Sequence, residues 1–146
     1  MSVINMSKNI KDVHPNFLIC YKVGSFYHSY GKDAYILSYL FGYKINTKND
    51  NVSVSGFPKS ALPKVTAKLE HNKINYMLLD TRNNYDIDVK EDNKNLNKYE
   101  ELLEKAQKYI RTERRIERII GVLKEENNEK KLKEKLSRIE ELIYED

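Results

Sequence analysis

Gly24, Gly42, Gly56 and Pro58 cut the first eighty residues into apolar pieces, none long enough for an extended helix. Glycine frees the backbone for left-handed turns and proline removes a donor, so the runs between them read as short strands and helices. "HPNFLICYKVG" reads as a strand that starts after Pro15, is β-rich from Phe17 to Val23 and stops at Gly24. "KDAYILSYLFG" sets Ala34, Ile36, Leu37, Leu40 and Phe41 at helical spacing, with Gly42 where a C-terminal cap belongs. "YKINT" is a short strand, "KNDN" a turn cluster, and "VSVSGF" alternates as a strand does. "KSALPKVTAKLEHN" predicts a helix with Ser60 as N-cap and Pro63 in the first turn. "INYMLLD" has the composition of a buried strand, and residues 1–13 form a polar lead-in with the makings of a frayed helix. The expected class is α/β (α+β), a small mixed β-sheet flanked by helices.

The pattern changes in the second half. "TRNNYDIDVKEDNKN" is polar and has no helix period, so it reads as a loop or linker with room for a short strand from Tyr85 to Val89. From Leu96 an apolar stripe runs through Tyr99, Leu103, Ala106 and Ile110 and on to Ile116, Ile119, Ile120 and Leu123. Asn127 and Asn128 break it, and Leu132, Leu136, Ile139 and Ile143 form a second stripe. The expected organisation is an α/β domain over residues 12–90 and an amphipathic helical hairpin over residues 96–144. Isolated helices of this length are marginal, so each stripe must pack on something. The choices are its hairpin mate, the α/β unit, or another copy of the chain, which would make a homo-oligomer.

The net charge of +4 is unevenly held: residues 1–86 carry +5 and residues 87–146 carry −1. A basic first half suits a phosphate-backbone partner. No apolar run approaches the roughly 18 residues of a membrane span. The stretch MSVINMSKN has no apolar signal core, so a cytoplasmic location is expected. The single cysteine, Cys20, excludes an intrachain disulfide framework and sits in an apolar run as a small buried hydrophobe. His14, His28 and His71 are scattered, no P-loop or G-x-S-x-G elbow is present, and no metal or cofactor is expected. Asp80 with Asp88 and Lys90 loosely mimics the D…[DE]xK pattern of metal-dependent nucleases, against the plainer reading of a solvated polar loop. Arg111, Arg115 and Arg118 share a helix face but are interleaved with Glu113 and Glu117, which favours intrahelical ion pairs.

"HPNFLICYKVGSFYHSYGKDA" resembles the start of the mismatch-recognition domain of the MutS DNA mismatch-repair proteins. His14, Pro15, Gly24, Phe26, Tyr27, Gly31, Asp33 and Ala34 fall in register with that family's pattern. A second block, "VSGFPKSALPKVTAKLEHNKINYMLLD", resembles a later stretch of the same domain through Gly56, Pro58, Ala67, Lys68 and Leu69. Together the blocks cover residues 12–82. The resemblance implies a non-enzymatic DNA-binding protein whose partner is double-stranded or distorted DNA. In the family the motif's Phe enters the minor groove and stacks on a mispaired base, and a Glu two residues later hydrogen-bonds to that base. Phe26 matches the wedge. His28 stands in place of the Glu, and Ser25 in place of the Asp that precedes the Phe. Lys22, Lys32, Lys59, Lys64 and Lys68, near the two blocks, are candidate phosphate contacts. Phe26 is therefore expected at the surface and Tyr27, its neighbour on an extended segment, in the core. The competing readings are a protein-interaction or self-association module on the same scaffold and a metal-dependent nuclease.

Overall fold

The computed structural model describes residues 2–47, 51–92 and 96–145, so most of the "KNDN" turn lies outside the described residues. The chain runs α1 (Val3–Val13), β1 (Leu18–Val23), β2 (Phe26–Tyr30), α2 (Lys32–Phe41), β3 (Asn46–Thr47) and β4 (Ser53–Pro58). A 3-10 turn (Lys59–Ala61) leads into α3 (Leu62–His71), followed by β5 (Tyr76–Asp80), β6 (Asp86–Glu91), α4 (Tyr99–Glu125) and α5 (Glu129–Ile143). The six strands form one mixed sheet in the order β3-β4-β2-β1-β5-β6. Among them β1 and β5 pair in parallel and the other neighbours are antiparallel.

Both faces of the sheet centre are covered, which is why β1 and β5 read as unbroken apolar runs rather than alternating ones. On one face Leu18, Cys20, Tyr27, Phe57 and Leu78 pack against Ile36 and Leu37 of α2, Val65 and Leu69 of α3, and the start of α4. On the other, Ile19, Tyr21, Met77 and Leu79 meet Val3 and Ile10 from α1. Cys20 is fully buried and burial pushes its thiol up to about 12, as suits a packing residue. The left-handed Gly42 ends α2, its N–H donating to the Ser38 carbonyl at 2.8 Å.

Several expectations are corrected. Residues 3–13 form a complete helix, its N-terminus capped by Ser2 Oγ accepting from the Asn5 N–H at 3.2 Å. Ser60 does not cap α3. It lies inside the 3-10 turn, and α3 opens with Pro63 in its first turn and no side-chain cap. The short strand foreseen from Tyr85 to Val89 is present as β6, Asp86–Glu91, which pairs along β5 and is mostly exposed.

The chain divides into two compact units, residues 1–109 and 110–146, and the division falls within α4. Tyr99, Leu102, Leu103 and Ala106 are buried in the core of the first unit. The stripe expected to be buried along α4 is so only as far as Ile110; Ile116, Ile119 and Ile120 are exposed. In the second unit, Asn128 Oδ1 caps α5 by accepting from the Lys131 N–H at 3.1 Å.

A buried polar knot ties the first unit together. Asp33 accepts from Lys11 Nζ at 2.7 Å, from the Tyr99 hydroxyl at 2.6 Å and from the Ile19 N–H at 3.1 Å. One carboxylate thus links α2 to α1, α4 and β1. Burial pushes Asp33 up and Lys11 down, against their mutual attraction.

Candidate nucleic-acid interface

β1 and β2 form a hairpin in which Val23 pairs with Phe26, leaving Gly24 and Ser25 as a two-residue connection. Gly24 has φ +64°, the positive value that a type II′ turn needs at its first central position. Phe26 is therefore the first residue of β2, at one end of the sheet. The tip is braced from the far side: Phe26 pairs with Pro58 of β4, and the Lys59 N–H donates to the Ser25 carbonyl at 2.9 Å. Alternation then separates the two rings. Phe26 is 48% exposed, whereas Tyr27 is 4% exposed and stacks on Phe57 at 5.5 Å. The chain's own core covers Tyr27 and leaves Phe26 half in solvent.

Phe26, His28 and Tyr30 share one face of β2. The Phe26 and His28 rings are 6.5 Å apart, and His28 and Tyr30 are 6.4 Å apart at right angles. The row continues sideways to Tyr21 at 5.6 Å from Tyr30, and from Tyr21 to Tyr85 at 6.3 Å. Burial pushes the Tyr21 and Tyr30 phenols up, further from ionisation. Gly56 lies opposite His28 on β4. A Cβ there would sit 2.7 Å from His28 Cδ2 and 2.7 Å from the Tyr27 carbonyl oxygen, so only glycine lets β4 pass beneath the imidazole. Sequence reasoning missed Tyr30, Tyr21 and Tyr85. The period of two in "FYHSY" was the available signal for Tyr30; nothing local places Tyr21 and Tyr85 beside it.

The lysines scatter. Lys59 follows Pro58, exposed, with its backbone bonded to the tip. Lys32 opens α2 and, with Lys8, Tyr21, Tyr30 and Ser53, lines a cavity of about 490 Å³. Lys22 pairs with Tyr27 and so shares the face opposite Phe26. Lys64 and Lys68 are exposed on α3, whose Val65 and Leu69 pack on that same opposite face. Lys68 Nζ is engaged at the end of α2, donating to the Leu40 carbonyl at 2.6 Å and lying 5.1 Å over the Phe41 ring. The structure thus brings together Ser25, Phe26, His28 and Lys59 and holds Lys22, Lys64 and Lys68 apart from them. Asp80 Oδ1 accepts from the Arg82 N–H at 2.9 Å, while Asp88 and Lys90 lie on β6. Among the described residues no group of three or more His, Cys, Asp or Glu is placed to hold a metal ion.

The mixed sheet thus holds one half-exposed aromatic side chain out on a braced hairpin. The chain belongs to the MutS domain I family, which it matches over residues 2–121, a wider span than the two motif blocks. It is 36% identical over 64 residues to the DNA mismatch repair protein MutS of Salinibacter ruber, covering 41% of this chain and 7% of that protein. It is 38% identical over 66 residues to the protein of the same name from Parabacteroides distasonis, covering 42% of this chain and 8% of that protein. The chain thus covers under a tenth of the length of either relative. Among the described residues no helix is long and apolar enough to cross a membrane.

Proposed function

We propose that this chain is a non-enzymatic DNA-binding protein that inserts Phe26 at distorted or mismatched base pairs. The observation that carries the reading is the half-exposed Phe26 ring on a hairpin braced on both sides. Wedging a ring into a base step costs about a few kcal/mol of unstacking, and least where pairing is already faulty. A rigid tip loses little conformational freedom on binding, so more of the stacking energy survives. His28 sits one ring further along the same face, where a displaced base would meet it. Imidazole can donate or accept, and when protonated it attracts the backbone as the family's Glu would not. A cytoplasmic location goes with this reading.

Fluorescence anisotropy on matched and mispaired duplexes tests it. Stacking on a base is worth about 1–3 kcal/mol in single-strand systems, so Phe26→Ala should weaken binding to mispaired DNA roughly ten- to a hundredfold at unchanged thermal stability. Lys59→Ala should weaken binding to all duplexes alike and lower the salt slope by about one. His28→Glu should reduce overall affinity and sharpen discrimination. Wild-type protein with no salt-dependent DNA binding would sink the proposal. A second reading, self-association through the C-terminal helices, draws support from the exposed apolar residues beyond Ile110.

A further inference from the structure

Two helices cannot hide the apolar surface that the second unit carries. Of fourteen exposed large apolar residues among the described ones, eight lie between Ile116 and Tyr144. Ile119, Val122 and Leu123 of α4 and Ile139 of α5 wall an open groove of about 400 Å³. Its exposed lining is wholly apolar, and the cations Arg118 and Arg138 rim it, beside Lys135, which is paired with Glu126 at 3.2 Å. Arg138 and Ile139 stand one helical turn before Leu142 and Ile143, so the groove-lining face of α5 runs on to the helix end. That end is bare: Leu142, Ile143 and Tyr144 are 71%, 66% and 78% exposed. It is also acidic, because Glu140, Glu141 and Glu145 surround these residues. One chain thus carries a basic-rimmed apolar groove and an acidic apolar end of complementary character.

We propose that these two features meet between two copies of this chain. The α5 helices lie antiparallel about a two-fold axis near Ile139. Leu142 and Ile143 of each copy cover the apolar wall of the other. Arg138 of each faces Glu141 of the other, on the same flank of the paired helices. Two-fold symmetry makes every such contact twice, so a small patch on each chain doubles its effect. Apolar burial supplies the driving force, while the charge pairs fix orientation and register. The proposal rests on reading the C-terminal helices as self-associating, and its test separates the two.

Sedimentation equilibrium on the full chain over a wide concentration range is the measurement. Wild type should rise from the 17.3 kDa monomer to twice that mass. Leu142→Asp with Ile143→Asp should stay monomeric at all concentrations, with the far-UV circular dichroism of the folded chain. Arg138→Glu and Glu141→Lys should each weaken the dimer by roughly tenfold. Mixing the two variants, or combining both changes in one chain, should restore it. A wild type that stays monomeric throughout would remove the self-association reading and the proposal with it. A wild-type dimer indifferent to every substitution would keep self-association but overturn this interface. Loss of DNA affinity in Arg138→Glu without a change of mass would make the groove a nucleic-acid surface and also overturn it.

Discussion

Phe26 and Asp33 belong to one short motif and act in opposite directions, one outward and one inward. Asp33 was legible only as a motif position, because its partners Lys11 and Tyr99 are far off in sequence and no local pattern announces them. Phe26 could be placed at the surface because an extended segment must split a neighbouring aromatic pair between two faces. Asp33→Asn should destabilise the fold by about 3–5 kcal/mol in urea titrations, since it leaves Lys11 with an uncompensated charge in a largely buried site. Adding Lys11→Met should recover much of the loss, because replacing both partners of a buried pair is nearly neutral. The pH signs follow from the shifts. Asp33 is raised, so its own contribution to stability is full below the ordinary aspartate range and is lost as pH rises through its raised value. Lys11 is lowered, so its contribution is present above the ordinary lysine range and is lost as pH falls through its lowered value. The double variant should lack both slopes.

At the scale of elements, the hairpin β1–β2 and its brace β4 were readable from Gly24, Gly56 and Pro58, since each glycine marks a turn or a close approach. α1 was harder to read because its contact with the core rests on few side chains, among them Val3 and Ile10, in an otherwise polar stretch. β6 was legible only as a short segment because an edge strand can stay polar on both sides while the ladder to β5 holds it. Tyr99 to Ala106 lie in the first unit's core, and α4 runs on from them without a break. The resemblance flagged Gly56 without a reason; its missing Cβ beneath His28 supplies one. Gly56→Ala should cost about 1–3 kcal/mol, because the Tyr27 carbonyl is backbone and β4 must shift away from it. It should also displace the His28 ring, seen as chemical-shift changes at His28 and Tyr30 while α3 resonances stay in place. Unperturbed His28 shifts in a stable Gly56→Ala protein would show that the imidazole does not depend on this seat.

For the whole molecule, the uneven charge and the two apolar periodicities announced two kinds of structure, and the family match covers the first and stops at residue 121, before α5. What α5 does must therefore be argued from its own surface. If two chains pair through α5, each assembly carries two Phe26 tips, and binding to DNA becomes bivalent wherever both tips reach distorted sites. Linking two binding events can raise avidity by about 10²–10⁴ without any new contact, and only at separations the assembly can span. A series of duplexes with two mispairs at stepped separations should therefore show a window in which wild-type affinity rises well beyond twofold over a single-mispair duplex. The monomeric Leu142→Asp, Ile143→Asp chain should show no window, while matching wild type at dilute concentration on the single-mispair duplex. Phe26→Ala should abolish the window by removing the individual contacts. A flat series for wild type, in a sample shown by sedimentation to be dimeric, would mean that pairing through α5 does not present both tips to one duplex. The two units would then act separately, one on DNA and one in assembly.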